Sequence, residues 1–375
     1  MKKKSTVKFT KQTCKISFNI QNLQIIIFVL YVILQVNRTS FSTAERIWRR
    51  KGNSKVTALD KIRDIGVLPV IKIEKTEYAV PLADALRKGG INAIEVTCRN
   101  ESALSSVNKI KEAFPDMTVG AGTILSAKQA EQAKAAGVDF IVSPGYNPET
   151  VTFCVENDMP IVPGCVTPAE IETAMAAGLD TVKFFPAEIN GGVEALKAFS
   201  GPFPKLSFVP TGGIDFGNLG TYLSHSFVAA CGGSFMAKAD LIKEGQWEKI
   251  TENCKKAVAV SLGFELAHVG INNENKEEAL ANADAMNRAF PLGVKIGSGK
   301  SSFLGSAVEL MHRPYYGEKG HICFKTNSPE RAKAFFEKQG LGIKENSISR
   351  NDKGEIKFFY LKDEIGGFAL HVVKK

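Results

Sequence analysis

The sequence predicts an α/β fold in which eight parallel strands close into a barrel, followed by a smaller α+β domain. Short apolar runs alternate with amphipathic helical patterns from residue 67 onwards, at a period of roughly 20 to 25 residues, and eight such units precede residue 263. Apolar strands that are each followed by a helix are typical of a covered parallel sheet. Eight units favour a (β/α)8 TIM barrel over a doubly wound open sheet, because no GxGxxG sequence opens the first unit.

The predicted strands of the barrel are short and mostly apolar. They are Val67–Ile73, Ala93–Thr97, Thr118–Thr123, Phe140–Ser143, Ile161–Cys165, Thr181–Phe185, Ser207–Pro210 and Phe227–Cys231. The helical patterns between them include Ala127–Ala136 and Ala169–Ala177, each followed by the glycine that commonly ends a helix. We therefore expect a barrel domain over residues 56–262 and a second domain over residues 263–375.

The net charge of +9 belongs to the start of the chain and not to the predicted fold. Residues 1–55 hold twelve Lys or Arg and one acidic residue, whereas the other 320 residues hold 36 basic and 38 acidic side chains. A nearly neutral folded body lacks the electrostatic footprint of a nucleic-acid-binding protein. The sequence favours a small-molecule partner and no nucleic acid.

Residues 1–55 differ in composition from everything that follows. An almost unbroken apolar run of twelve residues, Ile25–Val36, follows a basic stretch. A spanning helix needs about 20 apolar residues, and no small-residue cleavage site of a signal peptide follows the run. An uncleaved anchor, an extension with another role and a misassigned translation start are the alternatives, and the sharp change of composition near Val56 favours the last. We exclude this segment from the predicted fold, and we expect no membrane association of the folded body.

Seven cysteines are scattered along the chain without any CxxC spacing. An odd, scattered set in apolar contexts suits reduced thiols better than a disulfide framework. The sequence thus favours a cytoplasmic location.

Lys183 lies in a setting where a charged side chain is unexpected. It is part of the sixth predicted strand and is flanked by Val182 and Phe184. An ammonium group buried without a partner is costly, so we expect the buried amine to lose its proton. A neutral amine in an apolar pocket forms a Schiff base with a ketone. A lysine whose end reaches solvent is the alternative.

Polar residues near the ends of other predicted strands supply partners for this amine. In a (β/α)8 barrel the chemistry gathers at the C-terminal ends of the strands. Glu95 lies in the second strand, and Arg99 lies just beyond it. A carboxylate facing Lys183 would move protons during imine chemistry, with an inert ion pair as the alternative. Arg99 would bind a carboxylate or phosphate, or else form a surface ion pair.

Glycine pairs after the last two predicted strands indicate a phosphate site. Thr211-Gly212-Gly213 follows the seventh strand, and Gly232-Gly233-Ser234 follows the eighth. Glycines at these two places let backbone N–H groups converge on an anion. Simple turns are the alternative.

Six segments in one order resemble the signature of the 2-keto-3-deoxy-6-phosphogluconate (KDPG) aldolase family, which includes 4-hydroxy-2-oxoglutarate (KHG) aldolase. The resemblance runs from about residue 57 to residue 262. The segments are Ile94-Glu95-Val96-Thr97-Cys98-Arg99, Gly120-Ala121-Gly122-Thr123, Ser143-Pro144-Gly145, Lys183-Phe184-Phe185-Pro186-Ala187-Glu188, Pro210-Thr211-Gly212-Gly213-Ile214 and Gly232-Gly233-Ser234.

The resemblance implies a class I aldolase, free of metal and cofactor, that cleaves KDPG to pyruvate and glyceraldehyde 3-phosphate, and KHG to pyruvate and glyoxylate. Lys183 would be the Schiff-base lysine and Glu95 the proton acceptor and donor. The other implied site residues hold the substrate: Arg99, Thr123, Pro144 and Phe185 around the keto acid, and Thr211, Gly212, Gly213, Gly233 and Ser234 around the phosphate. The resemblance also implies a homotrimer.

Residues 263–375 contain an internal repeat. Ala267–Ile271 is echoed by Gly320–Phe324, Ala307–Leu310 is echoed by Ala369–Val372, and the helical stretches Lys276–Phe290 and Pro329–Gln339 occupy matching positions. The two βαβββ halves resemble the vicinal oxygen chelate, or glyoxalase-like, fold.

In that family four echoed positions hold a divalent metal, and here they are His268, Glu309, His321 and His371. Three imidazoles and a carboxylate suit zinc, nickel or iron, although strand histidines are also satisfied structurally. The domain is interpreted either as a metal-dependent isomerase or lyase, or as a non-catalytic binding or assembly module fused to the aldolase. The sequence leaves the preferred keto acid open.

Overall fold

Parallel strands alternate with helices from Ala58 to Leu262 in the computed structural model, which describes residues 56–297 and 299–375. The predictions for residues 1–55, including the apolar run, lie outside the described residues. The strands of this part are β1 Val67–Ile71, β2 Ala93–Thr97, β3 Thr118–Gly122, β4 Phe140–Val142, β5 Ile161–Val162, β6 Thr181–Phe184, β7 Ser207–Pro210 and β8 Cys231–Gly233.

One helix of this part precedes β1, and the others follow the strands. They are α1 Ala58–Ile65, α2 Ala79–Lys88, α3 Ser102–Ala113, α4 Ala127–Ala135, α5 Pro148–Glu156, α6 Pro168–Ala176, α7 Gly192–Ser200, α8 Leu219–Leu223, α9 Ala239–Lys243 and α10 Trp247–Leu262, with a 3-10 turn at Thr76–Tyr78. The sequence reasoning missed α1, which begins at a capping box formed by Thr57 and Asp60. This two-residue signal marks a helix start even where the apolar pattern is short.

The strands pair in parallel in the order β5-β4-β3-β2-β1-β8, and β6 pairs with β7. Single parallel bridges connect the two groups: Gly164 to Lys183, Phe208 to Val228, and Thr211 to Gly232. The predicted α/β class with a curved parallel sheet is confirmed for this part.

Two apolar layers lie on opposite faces of these strands. Alternate residues such as Ile94, Val96 and Val182 pack with the outer helices in the larger cluster. Leu68, Ala93 and Phe140 belong to a smaller inner cluster, against which residues of α1 also pack. Because strand side chains alternate between faces, this division decides which side chains point inwards.

The position of the eighth strand differs from the prediction. The sequence predicts Phe227–Cys231, whereas β8 spans Cys231–Gly233. Hydrogen bonding decides the difference, because Val67 of β1 pairs with Cys231 and Pro69 pairs with Gly233. Gly232 and Gly233 are therefore strand residues and do not follow the strand. The other seven predicted strands agree with the structure to within three residues at each end.

The rest of the chain forms one eight-stranded sheet with two helices. Its elements are β9 Glu265–Ile271, α11 Lys276–Ala289, β10 Val294–Ile296, β11 Ser301–Leu304, β12 Val308–Met311, β13 Gly320–Thr326, α12 Pro329–Lys338, β14 Ile343–Arg350, β15 Ile356–Ile365 and β16 Phe368–Lys374. The strand order is β10-β11-β12-β9-β13-β16-β15-β14, with β9 and β13 antiparallel at the centre. Each half thus runs strand, helix and three strands.

Arg331 of α12 joins this β-rich part to the end of the parallel sheet where the strands begin. Its buried guanidinium donates to the carbonyls of Arg63, Leu223, Val228 and Ala229 at 2.8–3.2 Å. Residues 56–375 accordingly form one compact unit. Within the described residues, no helix combines the length and the apolar character that crossing a membrane requires.

Candidate functional site

Lys183 and Glu95 form a buried ion pair between β6 and β2. Lys183 Nζ lies 3.3 Å from Glu95 Oε1, and the two side chains are only 7% and 2% exposed. The ring of Phe185 lies beside the amine, with its centroid 5.4 Å from Nζ. The sequence prediction that these two residues face each other is confirmed.

Strand alternation and two glycines create the space for this pair. Ile94 and Val96 pack against the outer helices, so Glu95 points to the opposite face. A Cβ on Gly122 of β3 would lie 2.1 Å from Glu95 Oε1, and one on Gly120 would lie 2.2 Å from the Phe140 ring. Glycine at residue 122 is therefore required for the carboxylate to lie where it does.

Arg99 and Thr123 lie together beyond the ends of β2 and β3. Arg99 Nε donates to Thr123 Oγ1 at 3.2 Å, and Arg99 is exposed. Thr123 adopts a left-handed conformation with φ of 61°, which is uncommon for a β-branched residue and is found most often at functional sites. An exposed guanidinium beside a hydroxyl is suited to binding a carboxylate.

Thr97 is a polar residue of this face that the sequence reasoning did not single out. Its Oγ1 is buried and has no hydrogen-bond partner within the described structure. It lies two residues after Glu95, so strand alternation was the signal that could have identified it. A buried hydroxyl without a partner is a candidate group for binding substrate.

Cys98 borders the same strand end, and burial raises the pKa of its thiol to about 11, with a smaller contribution from the Glu95 carboxylate. A thiol with this pKa is protonated at neutral pH. Cys98 is therefore not a nucleophile competing with Lys183.

The glycine loops after β7 and at β8 lie next to the end of β6. The N–H of Thr211 donates to the carbonyl of Phe184 at 2.9 Å, and Gly212 and Gly213 both have positive φ angles. A Cβ on Gly232 would lie 2.4 Å from Thr211 Oγ1, so glycine permits the two chain segments to approach. Gly233 is buried in β8, whereas Ser234 after it is exposed.

Pro144 lies close to this edge as well. A Cβ on Gly164 would lie 2.0 Å from the Pro144 carbonyl oxygen, which places the β4 and β5 ends in contact. The strand ends thus bring the predicted site residues to one edge of the sheet, where β2 to β8 end.

A second polar cluster lies on the sheet of the C-terminal part. Glu309 Oε2 is 3.1 Å from both His268 Nε2 and His321 Nε2, and Ser301 Oγ donates to Glu309 Oε1 at 2.5 Å. One ring nitrogen from each of His268, His321 and His371 lies within 4.8 Å of the others. The four residues singled out from the repeat therefore converge from β9, β12, β13 and β16.

The surroundings of this cluster favour a ligand-binding role for its atoms. Both ring nitrogens of His371 are buried without a hydrogen-bond partner within the described residues, and Tyr360 stacks on the His371 ring at 4.6 Å. Although burial opposes it, hydrogen bonds from the two imidazoles and Ser301 hold the pKa of Glu309 well below its ordinary value. Imidazole nitrogens beside a carboxylate are the donor set that divalent transition metals take.

Comparisons with known proteins agree with the geometry of the first site. A family model described as KDPG and KHG aldolase matches residues 59–253. The 2-dehydro-3-deoxy-phosphogluconate aldolase of Treponema pallidum (strain Nichols) is 44% identical over 196 residues, which is 52% of this chain and 93% of the relative.

Two solved structures also match this part. The KDPG aldolase of Legionella pneumophila, with pyruvate captured at low pH as a covalent carbinolamine intermediate, has a TM-score of 0.53 and 38% identity, and the match covers 54% of this chain and 98% of that one. The KDPG aldolase of Zymomonas mobilis ZM4 with 3-phosphoglycerate has a TM-score of 0.52 and 37% identity, covering 55% and 97%. With the buried lysine and glutamate in place, this chain belongs to the KDPG and KHG aldolase family.

Proposed function

We propose that residues 56–262 form a closed (β/α)8 barrel that acts as a class I aldolase on KDPG, and also on KHG. The protein is a lyase of the KDPG and KHG aldolase type. The observation that carries the mechanism is the contact of 3.3 Å between Lys183 Nζ and Glu95 Oε1 in a buried site.

Lys183 is the proposed nucleophile. Its amine attacks the C2 carbonyl carbon of the keto acid, and the former carbonyl oxygen takes up two protons and leaves as water, which gives a protonated imine. The C4 hydroxyl then loses its proton and becomes the aldehyde carbonyl, while the electrons of the C3–C4 bond move into the imine to give an enamine. Protonation of the enamine at C3 and hydrolysis of the imine release pyruvate and regenerate the amine.

Glu95 is the proposed proton carrier for these steps. Its carboxylate lies within hydrogen-bond distance of the amine, and it is the acidic group that the structure places against Lys183 Nζ within the described residues. A positioned carboxylate of this kind contributes roughly 10²- to 10⁴-fold to the rate of proton-transfer steps.

Substrate binding is assigned to the groups around this pair. We propose that Arg99 and Thr123 hold the carboxylate end, that Pro144 and Phe185 shape the pocket, and that five residues surround the phosphate: Thr211, Gly212, Gly213, Gly233 and Ser234. The hydrogen bond between Arg99 and Thr123 supports the first assignment. The positive φ angles of Gly212 and Gly213 support the last, because they turn backbone N–H groups outwards.

Trapping with borohydride and pyruvate tests this function. Reduction of the imine would leave a stable adduct on the peptide that contains Lys183, detected by mass spectrometry. Lys183→Met should give no adduct, and the matched variant Lys205→Met, which changes an exposed lysine on the same part of the chain, should give the wild-type adduct. An unmodified wild-type protein would refute the proposed mechanism.

A homotrimer and a cytoplasmic location complete this proposal. The six cysteines of residues 56–375 are all free thiols, which supports a reducing compartment. Light scattering of the purified protein measures the number of subunits.

A metal-binding function of residues 263–375 is a second proposal, and the cluster of His268, Glu309, His321 and His371 supports it. The βαβββ repeat supports a glyoxalase-like fold. The partnerless ring nitrogens of His371 fit a metal ligand, because a buried imidazole with neither nitrogen satisfied is otherwise costly. A divalent zinc, nickel or iron ion held there would act as a Lewis acid towards an oxygen ligand.

Metal analysis of the full chain separates this proposal from a non-catalytic domain. We expect about one equivalent of a divalent metal per chain, and loss of that metal in His268→Ala and His321→Ala. His225→Ala is the matched control, because His225 is outside the cluster and stacks on Phe227. Chelation should leave borohydride trapping at Lys183 unchanged. Metal content that is equal in all variants would refute the site.

A further inference from the structure

A polar cleft lies where the C-terminal part meets the beginning of the barrel strands. Its volume is about 410 Å³, and both parts of the chain line it. Ser207 at the start of β7 and Val228 just before β8 mark its position at the strand starts. The cleft is therefore at the opposite end of the strands from Lys183 and is separate from the aldolase site.

The charged groups of this cleft do not balance. Six basic side chains line it, against three acidic ones: Arg63, Arg331, Arg350, Lys353, Lys357 and Lys374, against Asp64, Glu330 and Glu355. The one ion pair that involves any of them within the described residues joins Arg63 to Asp60, at 3.8 Å. The basic groups of the cleft thus outnumber its acidic groups and form no ion pair with them within the described residues.

Two of the acidic groups are already engaged elsewhere. Glu330 Oε1 accepts from the N–H of Ile356 at 2.6 Å, and its Oε2 accepts from Ser328 at 3.2 Å. Glu355 Oε2 accepts from Asn351 Nδ2 at 2.7 Å. These contacts hold both carboxylates in place without pairing them with the cations of the cleft.

Two of the cations are shielded from water, and their hydrogen-bond partners are uncharged. Arg331 is 4% exposed, and backbone carbonyls accept from four of its five N–H groups. Lys374 is partly buried and donates to the carbonyls of Ser224 and Asn327. Carbonyl oxygens satisfy the hydrogen bonds without forming an ion pair, and the acidic groups Asp64, Glu330 and Glu355 act on these two charges only from beyond ion-pair distance.

The neighbouring titratable groups respond to this excess of positive charge. Burial and, next, the Arg331 charge lower the pKa of Lys374 below its ordinary value. The pKa of His225 is lowered by burial and then by the charges of Lys197 and Lys374. Burial is the larger cause of both pKa shifts, and the neighbouring cations add to it against the opposing charges of Glu330 and Glu355 on Lys374 and of Glu194 on His225.

We propose that this cleft is an accessory site for a small multivalent anion, either a phosphate ester or a di- or tricarboxylate. Such a ligand supplies the missing negative charge between Lys374 and the rim formed by Arg350, Lys353 and Lys357. It contacts both parts of the chain, so it stabilises their junction. This inference does not rest on the aldolase mechanism.

Calorimetric titration of the full chain with citrate, and separately with inorganic phosphate, tests this site. The triple variant R350Q/K353Q/K357Q removes three exposed cations of the rim, and we expect at least about a tenfold weaker binding of the anion that the cleft takes. The matched variant K128Q/K255Q/K325Q makes the same charge change at exposed lysines outside the cleft and should bind like the wild type. The two titrants distinguish a phosphate site from a carboxylate site.

Borohydride trapping with pyruvate is compared between the wild type and both triple variants. Because anion binding is measured separately, the absence of an adduct in all three proteins would leave the result of the titration unaffected. The anion should also raise the melting temperature of the wild type and of the matched variant, but not that of the cleft variant. Equal weakening in the two triple variants, or no binding of either anion by the wild type, would overturn the proposal.

Discussion

Glu95 and Gly122 depend on each other at the scale of single atoms. The carboxylate occupies the space that a Cβ on residue 122 would need, with only 2.1 Å between the two positions. A carboxylate buried next to an amine is retained for function or for pairing, since replacing such a pair by apolar groups often costs nothing in stability. The pair is thus better explained by chemistry than by stability.

Replacing Glu95 by Gln should separate imine formation from turnover. The amide keeps the shape of the side chain but neither accepts nor releases a proton near neutral pH, so we expect kcat to fall about 10²- to 10⁴-fold, while some pyruvate is still trapped on Lys183. Steady-state cleavage of KDPG gives kcat, and mass spectrometry gives the adduct. Glu101→Gln, at an exposed carboxylate, serves as the control. A kcat within a factor of about three of the wild type would contradict the role of Glu95.

Gly122→Ala should reproduce the Glu95→Gln defect without replacing a titratable side chain. The new methyl group displaces the carboxylate from Lys183, so we expect kcat to fall about tenfold or more. Gly201→Ala is a suitable control, because a Cβ there meets only the carbonyl of Ala198 at 3.6 Å. If the alanine at residue 122 leaves kcat unchanged, the space around Glu95 is less restricted than the structure indicates.

The sequence predicts the partners at this scale but not the space between them. Lys183 and Glu95 were identified as a facing pair because each interrupts an apolar strand. The requirement for glycine at residue 122 was missed, because it depends on the distance between side-chain positions on the paired strands β2 and β3, which the sequence of neither strand shows. The buried hydroxyl of Thr97 was missed although strand alternation places it on the same face as Glu95.

Arg331 is the residue of helix α12 with the most hydrogen bonds to residues 56–262, and Lys338 of the same helix adds one to the Gly90 carbonyl. Arg331 reaches four carbonyls from three separate segments of residues 56–262, at Arg63, Leu223 and the pair Val228 and Ala229. A guanidinium offers five N–H groups in a fixed plane, so one residue satisfies several carbonyls that would otherwise lie buried without partners. Arg331 thus holds the first turn of α12 in position.

Arg331→Met should loosen this junction. Each carbonyl that loses its donor and is not reached by water lowers the free energy of unfolding by about 1–3 kcal/mol. We therefore expect a melting temperature lower by several degrees and faster proteolysis in residues 262–265. Lys333→Met, on the same helix but partly exposed, is the matched control. Equal melting temperatures for Arg331→Met and the wild type would show that other contacts determine the junction.

The ends of elements were predicted well where the pattern of apolar residues sets them, and less well where hydrogen-bond pairing between strands sets them. β2 and β7 match their predicted bounds, because polar residues or turns flank each apolar run. The eighth strand begins four residues later than predicted, since its pairing with Val67 of β1 and not its composition sets its start. The repeat in residues 263–375 gave the strand and helix order of both halves, because its echoes lie in β9, β13, β12 and β16.

Residues 56–375 behave as one unit although the sequence divides them at residue 262. The carbonyl of Leu262, the last residue of α10, accepts from Thr326 Oγ1 at 2.6 Å and from the N–H of Asn327 at 2.9 Å. The two candidate sites therefore belong to one folded unit. The site around Lys183 and Glu95 and the histidine cluster lie on different sheets of it. The end of the eight strand–helix units and the repeat that follows identify a boundary along the chain, but only packing shows that hydrogen bonds cross it.

Buried cysteines give the whole molecule a predictable sensitivity to alkali. Burial raises the pKa of Cys154, Cys165, Cys254 and Cys323 to about 12, from an ordinary value of 9.0, and raises that of Cys231 further in the same direction. Between pH 9 and 12 the unfolded chain therefore releases thiol protons that the folded chain keeps. Because the unfolded state binds fewer protons in this range, the stability supplied by the protonated thiols is complete below pH 9 and is lost as the pH rises.

Cys254→Ala should make the free energy of unfolding decrease less steeply as the pH rises above 9. Cys254 is fully buried in α10, and its contribution to the fall is at most about 1.4 kcal/mol per pH unit above pH 9. Urea unfolding at pH 7, 9, 10 and 11 measures the free energy of unfolding of both proteins. Lysines and tyrosines titrate equally in the two, so they cancel in the comparison. We expect the variant to be less stable than the wild type at pH 7 and the difference to narrow steadily above pH 9, whereas parallel curves would show that Cys254 does not titrate in the unfolded chain as its burial predicts.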